Sequence, residues 1–296
     1  MKRNTVWCRV ALLLVALLCV GCREPGGARP ASGAEADCVV NGSRIWFADE
    51  QQRQAWQQPL AELLSRVSEW DDRADFEEIL DPDAPALPQS YRCGLLDVTG
   101  DQTPELLVHP RGFHGSSGTA TYFVYDLYSG QKLGELDGGN GQSWCVYYEV
   151  ASGQLRLMGQ YWLRGGWTWR ERYLNEAVYD AATGECREVS YLRTEHEIAW
   201  AEMDADAAAE GVAEAYPATA YYVYGKAVCL DEYYAEYEQF LQAFVRIPET
   251  ELVLIDWSDV TDEGDDAFAK GEKMAEALLG SGQAFITAVE VGNTGR

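Results

Sequence analysis

One stretch of the chain carries oxygen ligands at a spacing that suits metal chemistry. Asp97-Val98-Thr99-Gly100-Asp101-Gln102-Thr103-Pro104-Glu105-Leu106 lies between two apolar runs, Cys93 to Leu96 and Leu106 to Val108. Oxygen-bearing side chains fall at alternate positions: Asp97, Thr99, Asp101, Thr103 and Glu105. A hard cation such as calcium takes six or more oxygens from a compact loop. Alternate spacing delivers side-chain oxygens to one side, with a backbone carbonyl available at Thr103. The same residues also suit a plain hairpin turn, in which Asp97 and Asp101 bond turn amides and Glu105 faces solvent.

Leu95-Leu96-Asp97-Val98-Thr99-Gly100-Asp101 and Pro104-Glu105-Leu106-Leu107-Val108 resemble the D-x-D-G-D-G-x-x-E-L loop of FG-GAP and VCBS-type repeats. Those repeats build β-propellers and related extracellular β modules, and the stretch looks like a single such repeat in secreted lipoproteins. The resemblance covers about 20 residues and so speaks for the loop alone. It implies Asp97, Asp101 and Glu105 as calcium ligands, helped by Thr99 and Thr103, with the ion stiffening the turn rather than reacting. Two positions depart from the pattern. Thr99 stands where the family has Asp or Asn, and Gln102 where it has a Gly that the sharp turn favours.

Other constellations carry less. Glu171 and Glu176 could form an acid pair for glycoside hydrolysis, but 48 acidic residues make such pairs uninformative. Glu195-His196-Glu197 lacks the second His of a helical zinc motif. His109 and His114 border a Gly-rich loop. Trp162, Trp167 and Trp169 flank Gly165-Gly166; they suit sugar stacking, and cross-strand packing suits them better. Past residue 22 five cysteines remain, Cys38, Cys93, Cys145, Cys186 and Cys229, too far apart for a zinc site. Export would permit disulfides, but an odd number leaves at least one cysteine unpaired. No nucleophile elbow, phosphate loop or dinucleotide fingerprint is present.

The elements that must position the loop follow from periodicity. Trp56, Leu60, Leu63, Leu64 and Val67 recur at helical steps and predict an amphipathic helix within 47–70, with a cap at Ala48-Asp49. A short helix is expected over 73–80, ended by the Pro-rich stretch 81–88. From Tyr91 to about Trp200 aromatic and β-branched residues alternate with Gly-centred turns, which predicts strands. Tyr125-Asp126-Leu127-Tyr128-Ser129-Gly130 is echoed at Tyr148 to Gly153 and at Tyr179 to Gly184. The common form is Tyr, acid, two variable residues, Ser or Thr, and Gly. It predicts three hairpins in series. Residues 201–215 read as a helix or boundary loop and 221–228 as a tight hairpin. A helix capped by Asp231 follows to about Val245, then a strand over 252–255. A last helix over 259–279 buries Met274, Leu278 and Leu279, and a final strand lies within 284–291. The fold class expected is α+β: an antiparallel meander, propeller-like or a sandwich, with helices before and after it.

The N-terminus gives an address. Lys2, Arg3 and Arg9 precede the apolar run Val10 to Val20, which ends at Gly21-Cys22, the order of a secretory signal. That run is too short to span a bilayer, which takes about 20 residues. Cys19-Val20-Gly21-Cys22 resembles the lipobox of bacterial lipoproteins, with Cys19 where Leu is usual. The resemblance implies a lipid on Cys22 and a mature protein anchored at the outer face of a bacterial cell membrane. The expected organisation is a signal peptide over 1–21, a flexible tether over 22–37, a helix-plus-meander domain over 38–200 and a smaller α+β region over 201–296. Losing the signal removes three basic and no acidic residues and takes the formal charge from -25 to -28. That acidity argues against nucleic acid or anionic lipid as partner. The function expected is a non-catalytic binding or structural module for a protein or cell-wall glycan. An envelope glycan hydrolase and a calcium-dependent adhesion module are the alternatives.

Overall fold

The structure, a computed structural model, describes residues 36–66, 91–110, 120–138, 140–165, 169–197 and 220–292. In chain order the elements are β1 (Cys38–Val40), β2 (Ser43–Phe47), α1 (Glu50–Ser65), β3 (Tyr91–Leu96), β4 (Glu105–Pro110), β5 (Ala120–Tyr125), β6 (Lys132–Gly138), β7 (Asn140–Glu149) and β8 (Leu155–Gly165). Next come β9 (Trp169–Asp180), β10 (Glu185–Glu197), β11 (Ala220–Val223), β12 (Lys226–Val228), α2 (Leu230–Ala243) and β13 (Phe244–Arg246). The 3-10 turn Pro248–Thr250, β14 (Ile255–Asp256), α3 (Trp257–Val260), α4 (Ala267–Gly280) and β15 (Ile286–Glu290) complete the order. The fold is mixed α+β with mostly antiparallel strands. The leader, the tether and the expected elements at 73–80 and 201–215 lie outside the described residues.

The chain groups into two compact units, one of residues 1–47 with 286–296, the other of residues 48–285. In the smaller unit β2 pairs antiparallel with β1 and with β15, the last strand expected from the sequence. Asn41 and Gly42 both take positive φ, which suits the two-residue turn between β1 and β2.

The larger unit holds a twelve-stranded sheet. Its strands follow one path, β13-β7-β8-β9-β10-β6-β5-β4-β3-β14, with β11 and β12 branching from β10, and they do not divide into separate propeller blades. Among the described residues every pairing is antiparallel except that of β6 with β10, joined at Gly134 and Cys186. Side chains alternate between two faces along each strand. On β4 and β5, Leu106, Val108, Phe123 and Tyr125 share a cluster with Trp56, Leu60 and Leu64 of α1 and Met274 and Leu278 of α4. Leu107, Tyr122 and Val124 face the other way and pack with Trp144, Leu157 and Ala177 of β7 to β9. Cys145, Tyr147, Met158 and Leu174 form a third cluster with Phe240 of α2. The cores thus stack in sandwich fashion: helices, one half of the sheet, the other half, helix. The segment Phe244 to Asp256 borders both ends of the path, through β13 on β7 and β14 on β3.

Local signals explain the elements. Asp49 accepts from the Gln52 amide at 2.9 Å and the Gln52 side chain accepts from the Asp49 amide at 3.0 Å, a capping box that fixes the start of α1. The three repeated turns are alike. Gly130, Gly153 and Gly184 take φ of 68°, 71° and 74°, and their amides donate to the carbonyls of Asp126, Glu149 and Asp180. Three expectations need correction. Of the strand expected over 252–255 only Ile255 is in one, paired together with Asp256 on β3. The helix expected to be capped by Asp231 begins at Leu230, because the Glu232 carboxylate reaches back to the Cys229 amide at 3.1 Å and makes Cys229 the cap. The helix expected over 259–279 is two. α3 stops at Val260, Asp262 and Asp265 close a turn on themselves, and α4 starts afresh from its Asp266 cap.

Candidate metal centre

The loop over 97–104 joins β3 to β4, whose last paired residues are Leu96 and Glu105. Because neighbouring strands alternate in direction and β6 runs parallel to β10, this loop and the three repeated turns lie at one end of the sheet. The loop is wound around its own carboxylates. Asp97 Oδ1 accepts from the Gly100 amide at 2.7 Å and Oδ2 from the Gln102 amide at 3.0 Å. Asp101 Oδ1 accepts from the Thr103 amide at 2.8 Å. These are the Asx-type bonds of the plain-turn reading. Gly100 and Gln102 each have φ of 75°, so Gln102 occupies a left-handed conformation that glycine takes without steric cost.

Glu105 departs from that reading, for it is buried, 1% exposed, rather than facing solvent. Its Oε2 accepts from the amides of Val98 at 2.6 Å and Thr99 at 3.1 Å, and Oε1 lies 3.1 Å from Thr99 Oγ1. The sequence carries a signal for this burial. Leu106-Leu107-Val108 is an unbroken apolar run, the mark of a strand buried on both faces. Glu105 shares a strand face with Leu107 and goes inward with it.

Asp97, Asp101 and Glu105 each bring one carboxylate oxygen to within 4.8 Å of the others. Burial pushes Glu105 up to about 8, against the pull of the Val98 amide and with a further push from the charge on Asp97. Burial likewise pushes Asp97 up to about 6, against its bonds to the Gly100 and Gln102 amides. Three clustered carboxylates are hard ligands of the kind calcium takes. Each ionised carboxylate has about four lone-pair sites, so the amide bonds leave capacity for a cation. The donor set therefore fits a hard divalent ion held by Asp97, Asp101 and Glu105, whose bound charge would stiffen the turn.

Among the described residues the remaining candidates do not converge on a site. Glu176 is paired with Arg156 at 3.3 Å, and Arg156 also holds Glu149 at 3.2 Å. Glu195 is paired with Arg193 at 2.7 Å. The His109 ring lies 5.3 Å from that of Tyr122 across β4 and β5. Trp162 and Trp169 are strand residues of β8 and β9. The side chains of Glu171, His196, Glu197, Trp162 and Trp169, and all of His114 and Trp167, lie outside what is described. Among the described residues Cys93, Cys145, Cys186 and Cys229 are free thiols; Cys38 is buried, as are Cys93, Cys145 and Cys186, and Cys229 is exposed. None of the described helices is long and apolar enough to cross a membrane. No protein-family model, curated protein or solved structure matches the chain.

Proposed function

We propose that this protein is a non-catalytic module, lipid-anchored through Cys22 on the outer face of a bacterial membrane, with calcium in its Asp97–Glu105 loop. The observation that carries the cation reading is the approach of three carboxylates to within 4.8 Å, one of them buried. Outside a cell, calcium is the hard ion that such an oxygen set takes. The anchor rests on the basic head, the apolar run and the Gly21-Cys22 ending of the leader. An anchored module of this kind presents its surface to a protein or a cell-wall glycan.

The cation is tested by thermal unfolding with calcium and with a chelator, on the native chain and on Asp97→Ala. Calcium is expected to raise the native melting temperature and to leave the variant unmoved. An identical melt under all four conditions overturns the reading. The anchor is tested by membrane fractionation. Cys22→Ser is expected in the soluble fraction, and a variant that stays with the membrane removes the anchor.

A further inference from the structure

α2 is apolar on two sides. Its inner side is accounted for: Phe240 is buried and its ring packs 5.7 Å from Tyr147 and 5.0 Å from Phe244. A second stripe, Leu230, Tyr234, Tyr237 and Leu241, follows at steps of four, three and four and faces solvent. These residues are 43%, 55%, 37% and 47% exposed. At 1.5 Å per residue the stripe is roughly 16 Å long. A surface helix that only covers a core needs one apolar stripe. A contiguous exposed second one is the mark of an interaction surface, and tyrosine is a residue that interfaces favour.

Charge selects the occupant. Every charged residue of α2 is acidic: Asp231, Glu232, Glu236 and Glu238. Arg246, just beyond the helix, is paired with Glu251 at 2.8 Å. At about 100° per residue Asp231 and Glu238 line one edge of the stripe, while Glu232 and Glu236 lie away from it. A second copy docked here would set these two edge acids against their own copies, and like charges across an interface are costly. We propose that the outer face of α2 docks a basic, amphipathic segment of a partner protein, its apolar side chains on Tyr234, Tyr237 and Leu241 and its Lys or Arg against Asp231 and Glu238 along the edge. The surface is distinct from the cation loop and stands or falls apart from it.

The test measures binding of two synthetic peptides to the intact protein by fluorescence anisotropy. Each is an amphipathic helix of about 14 residues, long enough to match the stripe, one of Leu and Lys, the other of Leu and Glu. The variant Tyr234→Ser/Tyr237→Ser/Leu241→Gln changes only exposed side chains, and its melt verifies folding. The Leu/Lys peptide is expected to bind, to bind roughly tenfold or more weakly to the variant, and to weaken as salt rises from about 50 to about 300 mM. The Leu/Glu peptide is expected not to bind. Equal binding to the variant would mean that general acidity alone attracts the peptide, and equal binding of both peptides that charge plays no part. A concentration-dependent dimer that the variant dissolves would give the face to a second copy. Each of these three results overturns the proposal.

Discussion

The Glu105 carboxylate accepts the Val98 amide at 2.6 Å across the neck of the loop that joins β3 to β4. This bond makes a buried acid the hub of the turn. The carboxyl group holds the backbone of Val98 and Thr99, and its burial beside Asp97 disfavours its own charge. A proton relieves that cost, a cation bound there would relieve it too, and the two would then compete.

That competition fixes a pH dependence. Glu105 and Asp97 have folded-state values raised above the ordinary carboxylate range, to about 8 and about 6. The folded state therefore binds protons more tightly than the unfolded state, and stability falls as pH rises. The contribution is whole below the unfolded value of about 4 and is lost as pH climbs through the folded values. Without divalent ions, the melting temperature should drop between pH 5 and about 8. Calcium should restore it at the upper end and do little at the lower. Glu149, held low chiefly by its bond from Ser152 and also by Arg156, acts with the opposite sign, and only at pH below the ordinary carboxylate range. A melting profile taken with chelator that is flat or rising across this window would contradict the assignment.

Two substitutions at Glu105 separate its charge from its acceptor role. Ala leaves the buried Val98 amide without its partner and should cost about 2 to 3 kcal/mol. Gln keeps an acceptor and removes the charge. It should match or exceed the native stability at pH 8 with chelator present, and it should lose the stabilisation by calcium. Urea unfolding of both variants, with calcium and with chelator, measures the difference.

Much of this loop is legible in sequence. Alternate oxygens mark the cluster, and the apolar run after Glu105 implies its burial. What spacing does not reveal is which groups already bond the carboxylates, since that depends on the φ of Gly100 and Gln102. The elements follow the same rule. The Trp56 to Leu64 stripe and the three Tyr-acid-Gly turns are local patterns, and the structure has them where periodicity puts them. The pairing of β6 with β10 and the bordering of both sheet ends by Phe244 to Asp256 are long-range facts. They arise from how the faces of distant strands bury one another, which no local window records. The break between α3 and α4 turns on Asp262 and Asp265 preferring to bond their own turn, a competition that apolar spacing does not register.

Gln102 stores strain that glycine would release. Its φ of 75° costs a side-chain-bearing residue about 1 kcal/mol or slightly more. The amide bond to Asp97 Oδ2 persists in Gln102→Gly, because it is made by the backbone. The gain is partly offset by the larger entropy of glycine in the unfolded chain. A net stabilisation of up to about 1 kcal/mol is expected. Destabilisation in urea unfolding would show that the Gln102 side chain has a role of its own.

Gly134 permits the parallel contact of β6 with β10. A Cβ at this position would lie 2.3 Å from the Cys186 carbonyl oxygen and 3.1 Å from its carbon, both backbone atoms of β10. No side-chain rotation relieves that overlap, so β6 and β10 would have to separate where Cys186 and Leu136 share the central core. Gly134→Ala should therefore cost about 3 kcal/mol or more. Gly184→Ala, at a turn with open space around its Cβ, meets only the positive-φ penalty of about 1 kcal/mol. Denaturant midpoints for the two variants side by side test the topology. Equal, small losses would mean that β6 and β10 are not held together at Gly134 and Cys186 as described.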